Sequence, residues 1–336
     1  MSYTNGLNKP SDYFNTVLYT GDASSDRTIT NTFGTDFLWL KERNGTDDHH
    51  LWDKVRGDGK RIHSNLTNAE SDLGTYIALV STGFKVSGGT YNNNGSQYAA
   101  WNWKAGGTAV SNTDGSITSS VSANQDAGFS IVSYTGTGSA GTVGTGLGAV
   151  PKMIIIKDRD AADNWNVYHS STGNNSHLHI NLTNAKSASS SYWNTTSPTS
   201  SVFSLGSSGA VNTSSNNFIA YCFAEKKGYS KFGSYVGNGG NQFIYTGFKP
   251  AFVIEKRSSN VSEWDMYDNK RNTFNSVTKV LKPKASDAEA TYGGLNFLSN
   301  GFEAKGSLND SGQTLIYMAF AESPFTTSTG IPTTAR

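Results

Sequence analysis

The same ordered set of landmarks occurs three times along this 336-residue chain. A repeat of this length constrains the fold more than any single motif, because every copy has to form the same unit. Each copy opens on an aromatic-led turn: Tyr19-Thr20-Gly21, Tyr134-Thr135-Gly136 and Tyr235-Val236-Gly237. An apolar run ending in lysine follows, as Phe37-Leu38-Trp39-Leu40-Lys41, Met153-Ile154-Ile155-Ile156-Lys157 and Phe252-Val253-Ile254-Glu255-Lys256. The tyrosine-to-lysine gaps are 22, 23 and 21 residues, and 12 positions after each lysine stand Asp53, His169 and Asp268. Asn65-Leu66-Thr67-Asn68-Ala69 returns as Asn181-Leu182-Thr183-Asn184-Ala185, 116 positions on, the same offset that separates Lys41 from Lys157. Each copy closes on an aromatic segment: Tyr98 to Trp103, Phe218 to Phe223 and Leu315 to Phe320.

Along Phe218 to Phe223, strand alternation puts Phe218, Ala220 and Cys222 on one face and Ile219, Tyr221 and Phe223 on the other. Both faces are apolar, which predicts a central strand covered on both sides. Short strands between Gly, Asn and Ser turns, in a chain that is 12% aromatic and 16% charged, predict an all-β protein. The expected architecture is three tandem antiparallel β-sandwich repeats, jelly-roll or lectin-like, of about 100 residues each. The expected boundaries are an N-terminal arm at 1–11, repeat 1 at 12–106, a Gly/Ser/Thr-rich linker at 107–127, repeat 2 at 128–226, repeat 3 at 227–325 and a C-terminal tail at 326–336. The short junction between the second and third repeats predicts that these two pack rigidly together.

Several functions are disfavoured by what the chain lacks. The formal net charge is +1, without the concentrated basic surface that nucleic-acid binding needs. No 18-residue apolar run predicts a membrane span, and the start carries no basic-then-apolar leader. One cysteine, Cys222, allows no internal disulfide and is expected to act as a small core hydrophobe. The Gly136-Thr-Gly138 and Gly144-Thr-Gly146 segments precede a proline and an apolar strand rather than a helix, so they read as turns and not phosphate loops. His177 and His179 share a strand face but have no third ligand in the pattern, so no metal and no cofactor are expected. Asp47/Asp48 and Glu263/Asp265 are the available carboxylate pairs for sugar chemistry; both read as loop residues, and no catalytic residue is assigned. The Asn65 and Asn181 sequons read as idle without a secretion signal. Lys41 with Arg43, and Lys157 with Arg159, could fix an anionic ligand or partner, the plainer reading being local pairing at a strand end. Most tryptophans fall on repeat landmarks and read as core. Trp193, in the loop 187–201, does not, and is the best candidate for an exposed ligand or partner contact.

The blocks Asp36-Phe-Leu-Trp-Leu-Lys-Glu-Arg43, His49 to Gly57, Tyr98 to Gly107, Gly128 to Gly136, Ile219 to Glu225 and Gly228 to Tyr235 resemble a repeat in structural proteins of marine tailed-phage virions. These proteins are often described as tail-fibre or appendage components. The resemblance runs from about Tyr13 to Arg336. It implies a non-enzymatic virion protein on tail or capsid, made in the host cytoplasm. Its expected partners are other virion proteins or a host-surface glycan, and its expected state is a homotrimer. Capsid decoration and, more remotely, polysaccharide depolymerisation are the alternatives.

Overall fold

The landmark Tyr-x-Gly is a device for closing one end of a sheet. In the computed structural model, which describes residue 7, residues 9–322 and the backbone of 325–326 and 332–333, the three tyrosines make one equivalent bond. The hydroxyls of Tyr19, Tyr134 and Tyr235 donate to the carbonyls of Tyr91, Val211 and Leu308, at 2.7, 2.6 and 2.6 Å. The glycine two residues on is required by space. A Cβ on Gly21, Gly136 or Gly237 would lie 2.0–2.2 Å from the carbonyl oxygen of Asn93, Thr213 or Asp310, a clash that no side chain survives.

Three large antiparallel sheets share one strand order. In the first unit the strand Phe14–Thr20 pairs with Gln97–Trp103, which pairs with Phe37–Glu42, then His50–Asp53 and Lys60–His63. The second unit repeats this with Phe129–Thr135, Asn217–Ala224, Pro151–Asp158, Asn166–His169 and Ser176–His179, and the third with Ser230–Val236, Thr314–Ala321, Pro250–Arg257 and Trp264–Asp268. A smaller sheet of three, two or four strands backs each of them. The chain is therefore all-β, built of antiparallel sheets packed as sandwiches. No helix among the described residues is long and apolar enough to cross a membrane.

The two apolar faces of each central strand face two different cores. Tyr98 and Ala100, Phe218 with Ala220 and Cys222, and Leu315 with Tyr317 and Ala319 fill the space between the two sheets of their own sandwich. Trp101 and Trp103, Tyr221 and Phe223, and Met318 and Phe320 point the other way, into one core shared by all three units. At its centre the rings of Trp103, Phe223 and Phe320 touch pairwise, with centroids 6.3, 5.8 and 6.2 Å apart. The sandwiches are thus not beads on a string; they close around a common aromatic centre.

One boundary expected from the sequence is corrected. The stretch 107–127 is not a linker: Val110–Asn112 and Ser119–Asn124 extend the second unit's sheet to eight strands, with Val121 and Ile117 packed into that unit's core. Of its serines, Ser111 and Ser120 face solvent, while Ser119 and Ser122 are buried and donate to the carbonyls of Gly144 and Gly107. The N-terminal arm is docked rather than free where it is described, because Leu7 is wholly buried in the shared core and Pro10 opens a 3-10 turn. Residues 1–6 and 8 of that arm lie outside the described residues. So does most of the expected tail, whose backbone pairs Phe325 with Thr333 and Thr326 with Pro332.

Candidate functional site

The lysines that end the three apolar runs are structural. Lys41 and Lys157 are buried, and Lys41 Nζ donates to the carbonyls of Glu42 and Gly45 as Lys157 Nζ donates to those of Asp158 and Ala161. Lys256 does the same with Ser262 and reaches Thr183 of the second unit. Burial lowers all three to about 8. They staple the following loop to the strand end, so the expected contact role of Lys41 and Lys157 does not hold.

Arg43 and Arg159 join neighbouring units. Arg43 forms a two-point contact with Glu289 of the third unit, at 2.9 and 3.0 Å, and Arg159 forms the same contact with Glu70 of the first, at 2.8 and 3.0 Å. Each is accompanied by a backbone bond, Glu289 N–H to the Arg43 carbonyl and Glu70 N–H to the Arg159 carbonyl. The third interface keeps the backbone bond, Lys186 N–H to the Ser258 carbonyl, without the charges. Deeper in, Arg56 lies against Asp53 and Glu70 while Tyr221 donates to Asp53; Arg271 lies against Asp268 and Glu289 while Trp101 donates to Asp268. The corresponding place between units two and three holds His169, 3.2 Å from the Tyr317 carbonyl, and Thr172. The ring therefore has two joints built on buried ion pairs and one that relies on His169 and the Lys256–Thr183 bond.

Trp193 is also corrected. It ends the short helix Ser190–Trp193, is 2% exposed, donates its indole N–H to the Ser176 carbonyl at 2.9 Å and packs edge-on against Tyr168. Its loop folds under the second sandwich, so the ring is core. His177 and His179 do share a face, with ring centroids 5.0 Å apart and His177 stacked on Tyr192 at 3.7 Å. Among the described residues no group of three or more His, Cys, Asp or Glu is placed to hold a metal.

The buried histidines make the fold acid-sensitive. Burial lowers His169 to about 4, against 6.5 ordinarily. It is neutral in the fold, whereas the unfolded chain takes up a proton below pH 6.5, so stability is full above 6.5 and is lost as pH falls toward 4. The loss assigned to His169 is about 3 kcal/mol. Thermal melts between pH 7 and 4.5 should show it, with His169→Gln flattening the slope.

The arrangement that stands apart chemically is in the third sandwich. Glu255 and Asp265 are directly opposite each other on the strands Pro250–Arg257 and Trp264–Asp268, so both side chains enter the sandwich interior. The equivalent pairs are Leu40 with His50 and Ile156 with Asn166. Glu255 is 1% exposed. Its Oε2 lies 3.1 Å from the Tyr235 hydroxyl. That phenol has one proton, and its 2.6 Å bond to the Leu308 carbonyl uses it, which requires the proton of the longer contact to sit on Glu255. Burial, then the neighbouring Asp265, raise Glu255 well above the usual carboxylate range, in agreement with this assignment. Asp265 accepts from the Tyr292 hydroxyl at 2.9 Å and is raised by burial to about 6. The pair borders a cavity of about 220 Å³ that opens between Val261, Glu263 and Ser307. Sequence reading placed Asp265 in a loop and passed over Glu255. The available signal was a glutamate where the other two copies carry Leu40 and Ile156.

Replacing Glu255 with leucine should raise stability by about 1–3 kcal/mol at pH 7, since a buried acid gives way to the residue type the first copy uses. Tyr235 keeps its Leu308 bond. Chemical denaturation of the two proteins side by side is the check; a loss of stability would show that Glu255 holds the sandwich together.

These features define an all-β protein of sandwiches closed on a shared core, carrying one interior carboxyl pair. The chain belongs to the family described as Domain of unknown function (DUF7483), whose sequence model matches residues 9–324. The match runs across all three units at once, so the family unit is the whole ring rather than one repeat. No curated protein and no solved structure matches the chain.

Proposed function

We propose that the chain is a non-enzymatic structural protein of a tailed-phage virion, an appendage component that meets a host-surface glycan or neighbouring virion proteins. The observation that supports it is a division of labour between strand ends. The strand ends that converge on Trp103, Phe223 and Phe320 carry the docked N-terminal segment, both inter-unit connections and the exit of the last strand. The opposite ends carry the turns after Tyr19, Tyr134 and Tyr235 and the loops that enter each closing strand, rich in Gly, Ser, Asn and Thr. Low-charge polar loops offer the hydrogen-bonding surface that carbohydrates and wet protein interfaces use. This polarity suits a protein anchored at one side and displayed at the other.

A map of the purified virion tests the proposal. Density on tail or baseplate with the polar loops outward supports it, and absence from the particle refutes it. The internal three-fold arrangement favours capsid decoration as the second reading, in which one chain seats on a three-fold position; density on the capsid lattice would select it. The homotrimer implied by the resemblance is checked by light scattering: three times the 36.0 kDa chain mass supports it and a single chain mass refutes it.

A further inference from the structure

We infer that the cavity bordered by Glu255 and Asp265 in the third sandwich is a binding site for one hydroxyl-bearing ring, a single sugar residue. It goes beyond the virion proposal and stands on the cavity alone.

Three buried features converge there. Glu255 is wholly enclosed, yet its Oε1 has no hydrogen-bond partner in the protein. Arg257 also lines the cavity; its terminal nitrogen is committed to Asp310 and to the Ser307 carbonyl, while its Nε has no partner. Asp265 spends one oxygen on Tyr292. Leaving such groups unpaired is costly, so the site is built for something that both donates and accepts.

The alternatives fail on chemistry. An anion is repelled by the carboxylates of Asp265 and Glu263 in the cavity lining. A metal ion lacks a third suitably placed ligand. An apolar molecule leaves Glu255 Oε1 and Arg257 Nε unsatisfied. Sugar hydroxyls donate to Glu255 Oε1 and to Asp265 and accept from Arg257 Nε, while the C–H face of the ring lies on Leu308 and the exposed Val261. The volume, about 220 Å³, equals the share of roughly seven waters at ~30 Å³ each, which suits one hexose. The first two sandwiches lack the site, because Leu40 and Ile156 stand where Glu255 does.

The test is saturation-transfer NMR on the full chain with the methyl glycosides of glucose, galactose, mannose and N-acetylglucosamine at millimolar concentration. Transfer to at least one is expected, with affinity weakened at least tenfold in Glu255→Leu and in Asp265→Asn while their melting temperatures match or exceed that of the parent. No transfer to any of the four, a cavity that holds water only, would overturn the inference. Transfer unchanged in Glu255→Leu would overturn it too, as would hydrolysis of the glycoside, which would make the pair catalytic. Because no virion is involved, sugar binding can fail while the virion proposal stands, and the reverse.

Discussion

Replacing Arg56 with alanine is expected to destabilise the fold by about 3–5 kcal/mol, the range for removing one partner of a buried ion pair. The guanidinium is fully enclosed. It satisfies the carbonyls of Leu51 and Lys60, pairs with Asp53 and Glu70, and lies 3.4 Å from the Tyr221 hydroxyl across the unit boundary. Burial alone would weaken its charge, but Asp53, Tyr221 and Glu70 outweigh that and raise its affinity for the proton. Without it, Asp53 loses its cation in a dry interface, while Glu70 keeps Arg159. The remedy is written in the joint between the second and third units, where the equivalent positions are His169, Thr172, Lys186 and, in place of Arg159, Ser258. The quadruple change Asp53→His, Arg56→Thr, Glu70→Lys, Arg159→Ser is expected to recover most of the loss that Arg56→Thr alone would cause. Urea titrations of the three proteins decide it. Equal instability of the quadruple and single variants would mean that each joint depends on its own wider surroundings.

Trp103→Ala is expected to cost a similar amount, about 3–5 kcal/mol, for a purely steric reason. The indole N–H has no partner in the protein, so only packing is at stake. The ring touches Phe14, Phe37, Phe223, Phe252 and Phe320, drawn from all three units. Trp103→Phe installs the side chain that Phe223 and Phe320 already use at equivalent positions, and should cost less than ~1.5 kcal/mol. Calorimetry should show one cooperative transition in the parent, since the cavity left by alanine opens toward every unit at once. Three separable transitions would contradict a shared core.

How legible was this from the residues alone? The two-faced strand Phe218 to Phe223 predicted burial on both sides, because the period of a strand is two and both sets were apolar. The same pattern in all three closing strands also demanded a second covering layer for Trp103, Phe223 and Phe320, and a row of separate sandwiches does not provide one. That demand was the sequence's trace of the ring. Trp193 was misplaced because a short helix buries a residue without any strand alternation to announce it. The stretch 107–127 was misread because its composition is mostly Gly, Ser and Thr, and only Ile117 and Val121 mark the side packed into the core. Arg43 and Arg159 were singled out as contacts for an anionic ligand or partner, whereas in the structure they meet the chain's own Glu289 and Glu70, 246 and 89 positions away, beyond any spacing rule. Glu255 was hidden inside an apolar run whose neighbours set its apparent character.

The closed ring also fixes a number. In an open solenoid each repeat buries one side against its predecessor and offers the other to its successor, so copies are gained and lost freely. Here the third unit's Glu289 returns to Arg43 of the first, so a fourth copy would have to part that joint to enter. Unequal crossing-over that deleted one unit would lay bare the rings around Trp103, and a duplication would leave its extra copy without a seat. Loops, joints and the acidic cavity can change one unit at a time, whereas adding or removing a unit breaks the joints on both sides of it.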